Sequence, residues 1–353
     1  LESSCDHFWR EVGTRGYSVD LHPRVYYPVS LGKYVDFEPS VGGRETIWRV
    51  EEYEDDTTGK EDRLESREIY DLKADLSTEI SRVFNLKGTS VDKIKHAIKP
   101  RVVYEYIPDL EQEDLPDFVS RIDKKNVVTY SITNNFTARV LEDSKPVAEM
   151  EPAPQGESLV PRYRYNDFCR IKLSQEYDIT EARREKNGKE RRPFSDIKGE
   201  LEFRPYDCLD LDADATWSPY DSEFTSYNAI LTLCDRRGDY GSVDYRYTRE
   251  NGADEPGNRR YTPENGTDES GNRSIFTKVF VKLFDPVSVY WEHERNLMDD
   301  KDVKSVVGFK YESQCWALNF SYTDDRTMDE REYFVGVSLY GLGEFGRGYE
   351  RDK

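Results

Sequence analysis

The side chains best equipped for chemistry in this chain are carboxylates, and they stand in rows with a spacing of two. Asp210, Asp212 and Asp214 form one row; Glu200 and Glu202 precede Arg204, Asp71 and Asp75 flank Lys73, and Lys99 and Arg101 precede Glu105. Close carboxylate pairs can serve as general acid and base. A chain of 353 residues with 71 Asp and Glu produces such pairs by chance, however. The four histidines, His7, His22, His96 and His293, lie on separate segments, and no HExxH, GxSxG or phosphate-loop motif is present. The five cysteines, Cys5, Cys169, Cys208, Cys234 and Cys315, show no metal-ligand spacing, and their odd number leaves at least one without an internal partner. Neither an enzyme, a cofactor nor a metal site is indicated.

A spacing of two places every member of a row on one face of an extended strand. The elements that must position these charges are therefore strands. Leu209, Leu211, Ala213, Ala215 and Trp217 alternate with the three aspartates, and Tyr70, Leu72, Ala74, Leu76 and Ile80 alternate with Asp71, Lys73, Asp75, Ser77 and Glu79. A helix would scatter those charges around its surface. The same reading predicts strands from Tyr17 to Tyr27, Val35 to about Glu52, Lys93 to Ile107 and Val128 to Ala138. Further strands run up to about Ile179, from Ile197 to Arg204, through Tyr227 to Leu233 and Val243 to Tyr247, and on both sides of Asp285-Pro286. Three more close the chain: Val307, Phe309 and Tyr311 share a face, then Trp316, Leu318, Phe320 and Tyr322, then Tyr333, Val335, Val337 and Leu339. Pro23, Pro39 and Pro100 each remove a ladder donor, so bulges or broken pairing are expected there.

Composition looks contradictory until those strands are considered. Apolar residues make up 36% and charged residues 35%, and mean hydropathy is −0.87, which leans toward a solvated chain. Aromatics nevertheless reach 13%, with 25 Tyr and 16 Phe. A transmembrane β-barrel resolves the conflict, because half of each strand faces lipid and half a polar lumen. A soluble all-β protein of sandwich or solenoid type is the competing reading. No run approaches the ~20 apolar residues of a membrane helix, which excludes a helical membrane protein. The net charge of −20 argues against nucleic acid as a partner.

About fifteen strands result, joined by connections that alternate in length. Short turns fall at Ser30 to Lys33, Lys87 to Val91, Tyr206-Asp207, Asp235 to Asp239, Asp285-Pro286 and Gln314-Cys315. Long polar loops fall at Tyr53 to Ser66, Pro108 to Lys125 and Glu181 to Arg192, and a polar turn richer in Pro at about Ser144 to Pro161. A tandem repeat, YTRENGADEPGNRR followed by YTPENGTDESGNRS, fills Tyr247 to Ser274. Short turns on one side and long loops on the other are the habit of outer-membrane barrels, whose short turns are periplasmic. Residues 1–16 lack alternation and read as a loop left from an upstream hairpin, residues 17–343 as barrel, and residues 344–353 as a periplasmic tail. The odd strand count and the start at Leu1 predict a fragment of a larger barrel.

Residues 94–140 read IKHAIKPRVVYEYIPDLEQEDLPDFVSRIDKKNVVTYSITNNFTARV. They combine an H-x-x-x-P-x-x-x-Y-x-Y-x-P strand, a Q-x-x-L-P loop and an N-x-x-x-Y-x-x-x-N strand, followed near the end by Cys315-Trp316 and LYGLGEFG. In this order the motifs resemble the C-terminal barrel of the LptD (OstA/Imp) family of outer-membrane lipopolysaccharide-assembly proteins. The likeness runs from about Gly16 to Gly346.

The resemblance implies an all-β, antiparallel transmembrane barrel of 26 strands, of which this chain holds about fifteen, in the Gram-negative outer membrane. It implies lipopolysaccharide as cargo, an LptE-like lipoprotein as plug, an LptA-like periplasmic bridge docking through an upstream domain, and outer-membrane lipids around the wall. The polar rows Asp71, Lys73, Asp75, Lys99, Arg101, Glu105, Glu200, Glu202, Arg204, Asp210, Asp212 and Asp214 would line a hydrated lumen. Tyr333, Val335, Val337 and Leu339 would form the lateral-gate strand. Cys315 would join the N-terminal region through a disulfide, which persists in the oxidising periplasm. Position 316 is Trp where some family members carry a second cysteine. Cys208 and Cys234, counted as two strands apart, are expected roughly 10 Å from each other, outside bonding reach. A porin or receptor barrel is the alternative within the same fold, and a soluble β-rich binding protein the alternative outside it.

Overall fold

The computed structural model describes residues 1–9, 14–52, 64–86, 88, 90–112, 115–141, 163–185, 190–249, 272–340 and 343–345. The expected loop at 53–66, the expected turn at 144–161, the tandem repeat at 247–274 and the tail at 344–353 lie wholly or largely outside them.

As the alternation predicts, the described chain is almost wholly antiparallel strand. In order these are β1 Glu2–Phe8, β2 Arg15–His22, β3 Arg24–Tyr26, β4 Val29–Leu31, β5 Val35–Glu52, β6 Leu64–Thr78, β7 Ile80–Asn85, β8 Val91–Ile107, β9 Lys125–Leu141 and β10 Tyr163–Asp178. After a one-turn helix, α1 Ile179–Arg183, come β11 Ile197–Tyr206, β12 Leu209–Ser218, β13 Glu223–Cys234, β14 Tyr240–Thr248 and β15 Asn272–Phe284. The run ends with β16 Val287–Asn296, β17 Lys301–Glu312, β18 Trp316–Asp325, β19 Glu330–Leu339 and β20 Gly343–Phe345.

Twenty strands replace the expected fifteen or so, for local reasons. Pro23 divides the first expected strand into β2 and β3, and beyond Pro28 a further strand, β4, takes in the start of the expected turn at Ser30 to Lys33; all three pair with β5. The gap between β3 and β4 falls opposite Pro39, which has no N–H to give; there Tyr27 donates to the Pro39 carbonyl at 3.0 Å. The registered β6–β8 ladder ends at Ser77↔Arg101, beside Pro100. A second break, at Glu79, separates β7 from β6. Two terminal strands complete the count, and the first is a correction to the loop remnant. β1 pairs with β2 from Glu2↔His22 to Phe8↔Gly16, although its sequence ESSCDHF has no apolar alternation. β20 folds back on Val337–Leu339 of β19.

The chain packs as two compact units. The first gathers Leu1–Arg82, Ala97–Thr133 and Leu173–Ile197; the second gathers Val83–His96, Asn134–Lys172 and Lys198–Lys353. In the first, β5 and β6 pair over fifteen positions, from Val35↔Thr78 to Arg49↔Leu64. The segment between β8 and β9 is not an open loop. Leu115, Phe118 and Val119 from it pack on Trp48 and Val50 of β5, Phe118 stacks on Phe8 at 4.9 Å, and the Arg67 guanidinium donates to Gln112 Oε1 and the Ser120 carbonyl. Gly16 is required beneath it, since a β-carbon there would come within 2.7 Å of the Phe118 ring.

In the second unit every hairpin from β12 to β19 pairs antiparallel with its neighbour. Short connections collect at one end of these strands and are bonded to one another. Cys234 donates its amide to the Cys208 carbonyl at 3.1 Å, Lys282 to Asp239 Oδ1 at 2.7 Å, Glu312 to the Pro286 carbonyl at 2.9 Å and Tyr340 to the Cys315 carbonyl at 3.0 Å. The expected turns at 206–207, 235–239, 285–286 and 314–315 therefore share a side in this unit.

Candidate functional site

Exposure in both units is inverted relative to a water-soluble sheet. In a soluble sheet the apolar face is the covered one. On β6, Leu72 is 41% exposed and its neighbour Asp71 only 8%. In the second unit Leu233, Val243, Val307, Phe320 and Val335 are exposed, while Asp244, Ser288 and Asn319 are buried. No side chain among the described residues is both large and fully buried. The polar face is held by hydrogen bonds and the apolar face is left for the surroundings, as lipid-facing strands require. Among the described residues no helix is long and apolar enough to cross a membrane.

In the first unit the predicted polar residues meet across strands. Asp71 accepts from Arg24, and its other oxygen lies 2.8 Å from His22 Nε2. Gly42, directly opposite Asp71, makes room for this: a β-carbon there would come within 2.4 Å of Asp71 Oδ1. Arg101, opposite Ser77 and so two positions from Asp75 along the β6–β8 ladder, holds both its oxygens. Glu105 faces Lys73 in register and also bonds Lys125 Nζ at 2.7 Å. Lys99 lies on the same strand face as Arg101 and is exposed. Sequence reasoning missed Asp20, which accepts from Arg44 and Thr46 at 2.8 and 2.7 Å, and Arg67. Both are marked by the same spacing of two, along β2 and β6.

The second unit gathers the other predicted row. Lys172 bonds Glu200 at 2.8 Å and Arg170 bonds Glu202. Arg204 reaches Asp210 at 2.9 Å and Asp212 at 2.9 Å, and Asn228 donates to Asp214 at 3.0 Å. Glu200, Glu202, Arg204, Asp212, Asp214 and Asn228 line an open cleft of about 360 Å³. Its walls offer carboxylate acceptors, guanidinium donors and an amide, a set suited to hydroxyl groups or to another polar chain. Further along this face Tyr290 lies over Gly308 and donates to Asn319 Oδ1 at 3.1 Å.

Two motif strands also find partners: Tyr104 bonds Asn126 at 3.1 Å, and His96 bonds Asn134 at 3.0 Å and stacks on Phe136.

The terminal hairpin carries Tyr333, Val335, Val337 and Leu339 on β19. This strand pairs with β18 over ten positions, from Trp316↔Leu339 to Asp325↔Glu330. Among the described residues its other edge is covered by β20 at Val337–Leu339. Cys315 is exposed in the turn before β18 and unpaired within the chain, as are Cys5 and Cys169.

The expectation for Cys208 and Cys234 is overturned. They form a disulfide, with their Cα atoms 4.6 Å apart. Their strands are the two legs of one hairpin, not strands two apart: β12 pairs with β13 in the register Leu209↔Leu233, and the next pair outward is Cys208 opposite Cys234.

Known proteins agree with this reading. The chain is 22% identical over 351 residues to the LPS-assembly protein LptD of Methylococcus capsulatus, covering 92% of this chain and 32% of that protein. It is 22% identical over 381 residues to the LPS-assembly protein LptD of Hahella chejuensis, covering 99% of this chain and 42% of that protein. The chain thus spans about a third to two fifths of the length of these relatives. The family model LPS transport system D, LptD, matches residues 1–275, most of the chain, and with the inverted strand faces this places the protein in the LptD family.

Proposed function

We propose that this chain is wall of an outer-membrane barrel that carries lipopolysaccharide to the outer leaflet, without making or breaking covalent bonds. The observation that carries the reading is the inverted exposure of the strands, joined to family membership. Apolar faces meet lipid acyl chains. The polar rows, from Asp71, Lys73, Asp75, Lys99, Arg101 and Glu105 to Glu200, Glu202, Arg204, Asp210, Asp212 and Asp214, keep the lumen hydrated and offer bonds to saccharide or to an LptE-like plug. A periplasmic LptA-like bridge delivers the lipid through sequence upstream of the chain.

In this reading β19, with Tyr333, Val335, Val337 and Leu339 outward, is one lip of the lateral gate. Its sparsely covered edge supports that role, because a gate must part without breaking a full ladder. Cys315 forms the covalent tie to the N-terminal region; its exposure at the turn end supports this.

Depleting the full-length protein should strip lipopolysaccharide from the cell surface and sensitise cells to bulky hydrophobic compounds. A change confined to small-solute uptake would instead favour a porin. Non-reducing electrophoresis of full-length Cys315→Ser should show altered mobility, and an unchanged pattern would remove the tie.

A further inference from the structure

On the apolar face of the second unit, Arg273 is partnered unlike four other arginines on the strands. Arg101, Arg170, Arg204 and Arg246 each hold a carboxylate, as suits a chain with 71 acids against 51 basic residues. Arg273, at the start of β15, instead donates its Nε–H to Tyr245 Oη at 2.8 Å, with its guanidinium carbon 5.9 Å from that ring's centre. Among the described residues it has no carboxylate partner. A guanidinium has five N–H donors. Tyr245 uses one, and the remaining four are those of the two terminal nitrogens.

The register builds a platform around it. Tyr227 is directly opposite Tyr247, and Tyr247 directly opposite Arg273, so one straight row crosses β13, β14 and β15. Tyr245 lies two residues further along β14. Tyr227 stacks on Tyr247 at 4.6 Å and on Tyr245 at 5.8 Å, and Phe224 meets Tyr227 edge-on at 6.1 Å. The row shares its face with the exposed Leu231, Leu233 and Val243. It stands about 20 Å along β13 from Leu233, at ~3.3 Å per residue, at the end away from the bonded turns. Aromatic side chains with one polar tip collect where an apolar stripe gives way to the headgroup layer.

We propose that Arg273, with Tyr227, Tyr245 and Tyr247, is a surface site for the phosphorylated headgroup of a lipid in the adjoining leaflet. The terminal nitrogens give a phosphate two parallel charge-assisted bonds, the phenol hydroxyls donate at its flank, and the stacked rings cover the start of the acyl region. Among the described residues no carboxylate neutralises this guanidinium, so its charge is complementary to an anionic group that a ligand brings. The site rests on the reading of this face as lipid-facing.

The test uses the full-length protein purified in detergent and native mass spectrometry. Diphosphoryl lipid A, its dephosphorylated counterpart and inorganic phosphate serve as probes. The wild type should retain the diphosphoryl lipid in preference to the dephosphorylated one. Arg273→Gln should reduce that preference about tenfold, the size expected for a lost charge-assisted bond pair. Arg273→Lys should keep part of the preference, and Arg164→Gln, in an ion pair with Asp207 elsewhere, should keep all of it. Heat-modifiable electrophoresis checks that each variant is folded, and the lysine variant still decides the matter if the glutamine variant is not. An unchanged preference in Arg273→Gln, equal retention of both lipids by the wild type, or displacement by millimolar phosphate alone would each overturn the site. Binding is read on purified protein and surface lipopolysaccharide on depleted cells, so the site and the transport reading fail separately.

Discussion

Ile230 and Leu231 are neighbours on β13 with nearly the same exposure, 40% and 37%, yet the proposed function gives them opposite surroundings. Leu231 lies between Leu211 and Val243 on the apolar face; Ile230 lies between Asp212 and Asp244 on the polar face. In water an arginine at either position would be mild. Facing lipid near mid-strand, Leu231→Arg should cost about 2–4 kcal/mol. Ile230→Arg puts a guanidinium beside two carboxylates already held by Arg204 and Arg246, so its effect should stay within about 1 kcal/mol. The difference is about 1 kcal/mol at the least and about 2 kcal/mol at the middle of the range, the latter roughly thirtyfold in the folded-to-unfolded ratio. The assay is guanidinium unfolding of the full-length protein in vesicles, read by heat-modifiable mobility. Equal midpoints for the two variants, or the reverse order, would refute the lipid-facing assignment and favour a soluble β-rich protein.

The Cys208–Cys234 bond closes a span with a sequence separation of 26, so losing it should remove about 3.5 kcal/mol of loop-closure stabilisation; Cys208→Ser, Cys234→Ser and the double variant should match one another in unfolding midpoint, and peptide mapping should recover the pair intact. Gly308→Ala puts a β-carbon 1.9 Å from Tyr290 Cζ and should destabilise by about 1–3 kcal/mol. The same change in a Tyr290→Ala background should cost much less, since the two sites share one space. Near α1, the Arg184 guanidinium beside Glu181 holds its carboxyl below the usual carboxylate range. A depressed native value means this local stabilisation is present above the unfolded pKa and lost as pH falls through the native one. The hydrogen-exchange protection of Asp178–Arg184, taken relative to the intrinsic rate at each pH, should therefore fall on acidification in the wild type and lose that dependence in Glu181→Gln.

Much of this was legible because a strand's period of two leaves little choice of face. The aspartates of β12 could only share a side, and with Leu209 to Trp217 opposite them that side had to be the polar one. Faces are local, and pairing is not. The disulfide was misjudged through the count of strands between Cys208 and Cys234, although paired positions in a hairpin sum to a constant and 209 with 233 implies 208 with 234. β1 was missed because its pairing with β2 supplies what its own sequence lacks. The segment after β8 read as open loop since Leu115, Phe118 and Val119 have no period; their partners, Trp48 and Val50, sit some seventy positions earlier.

The bonded turns of the second unit have a mechanical consequence. Each hairpin end is clamped to the next by a backbone or Asp239 bond, from Cys208 through Lys282 and Glu312 to Tyr340. A pull applied at Cys315 therefore spreads along the whole rim instead of lifting one hairpin. β19 is fastened at that rim through Tyr340 and β20, while its far edge from Glu330 to Gly336 has no registered partner among the described residues. A strand held at one end and uncovered at the other parts like a zipper from the uncovered end, with the rim as its stop.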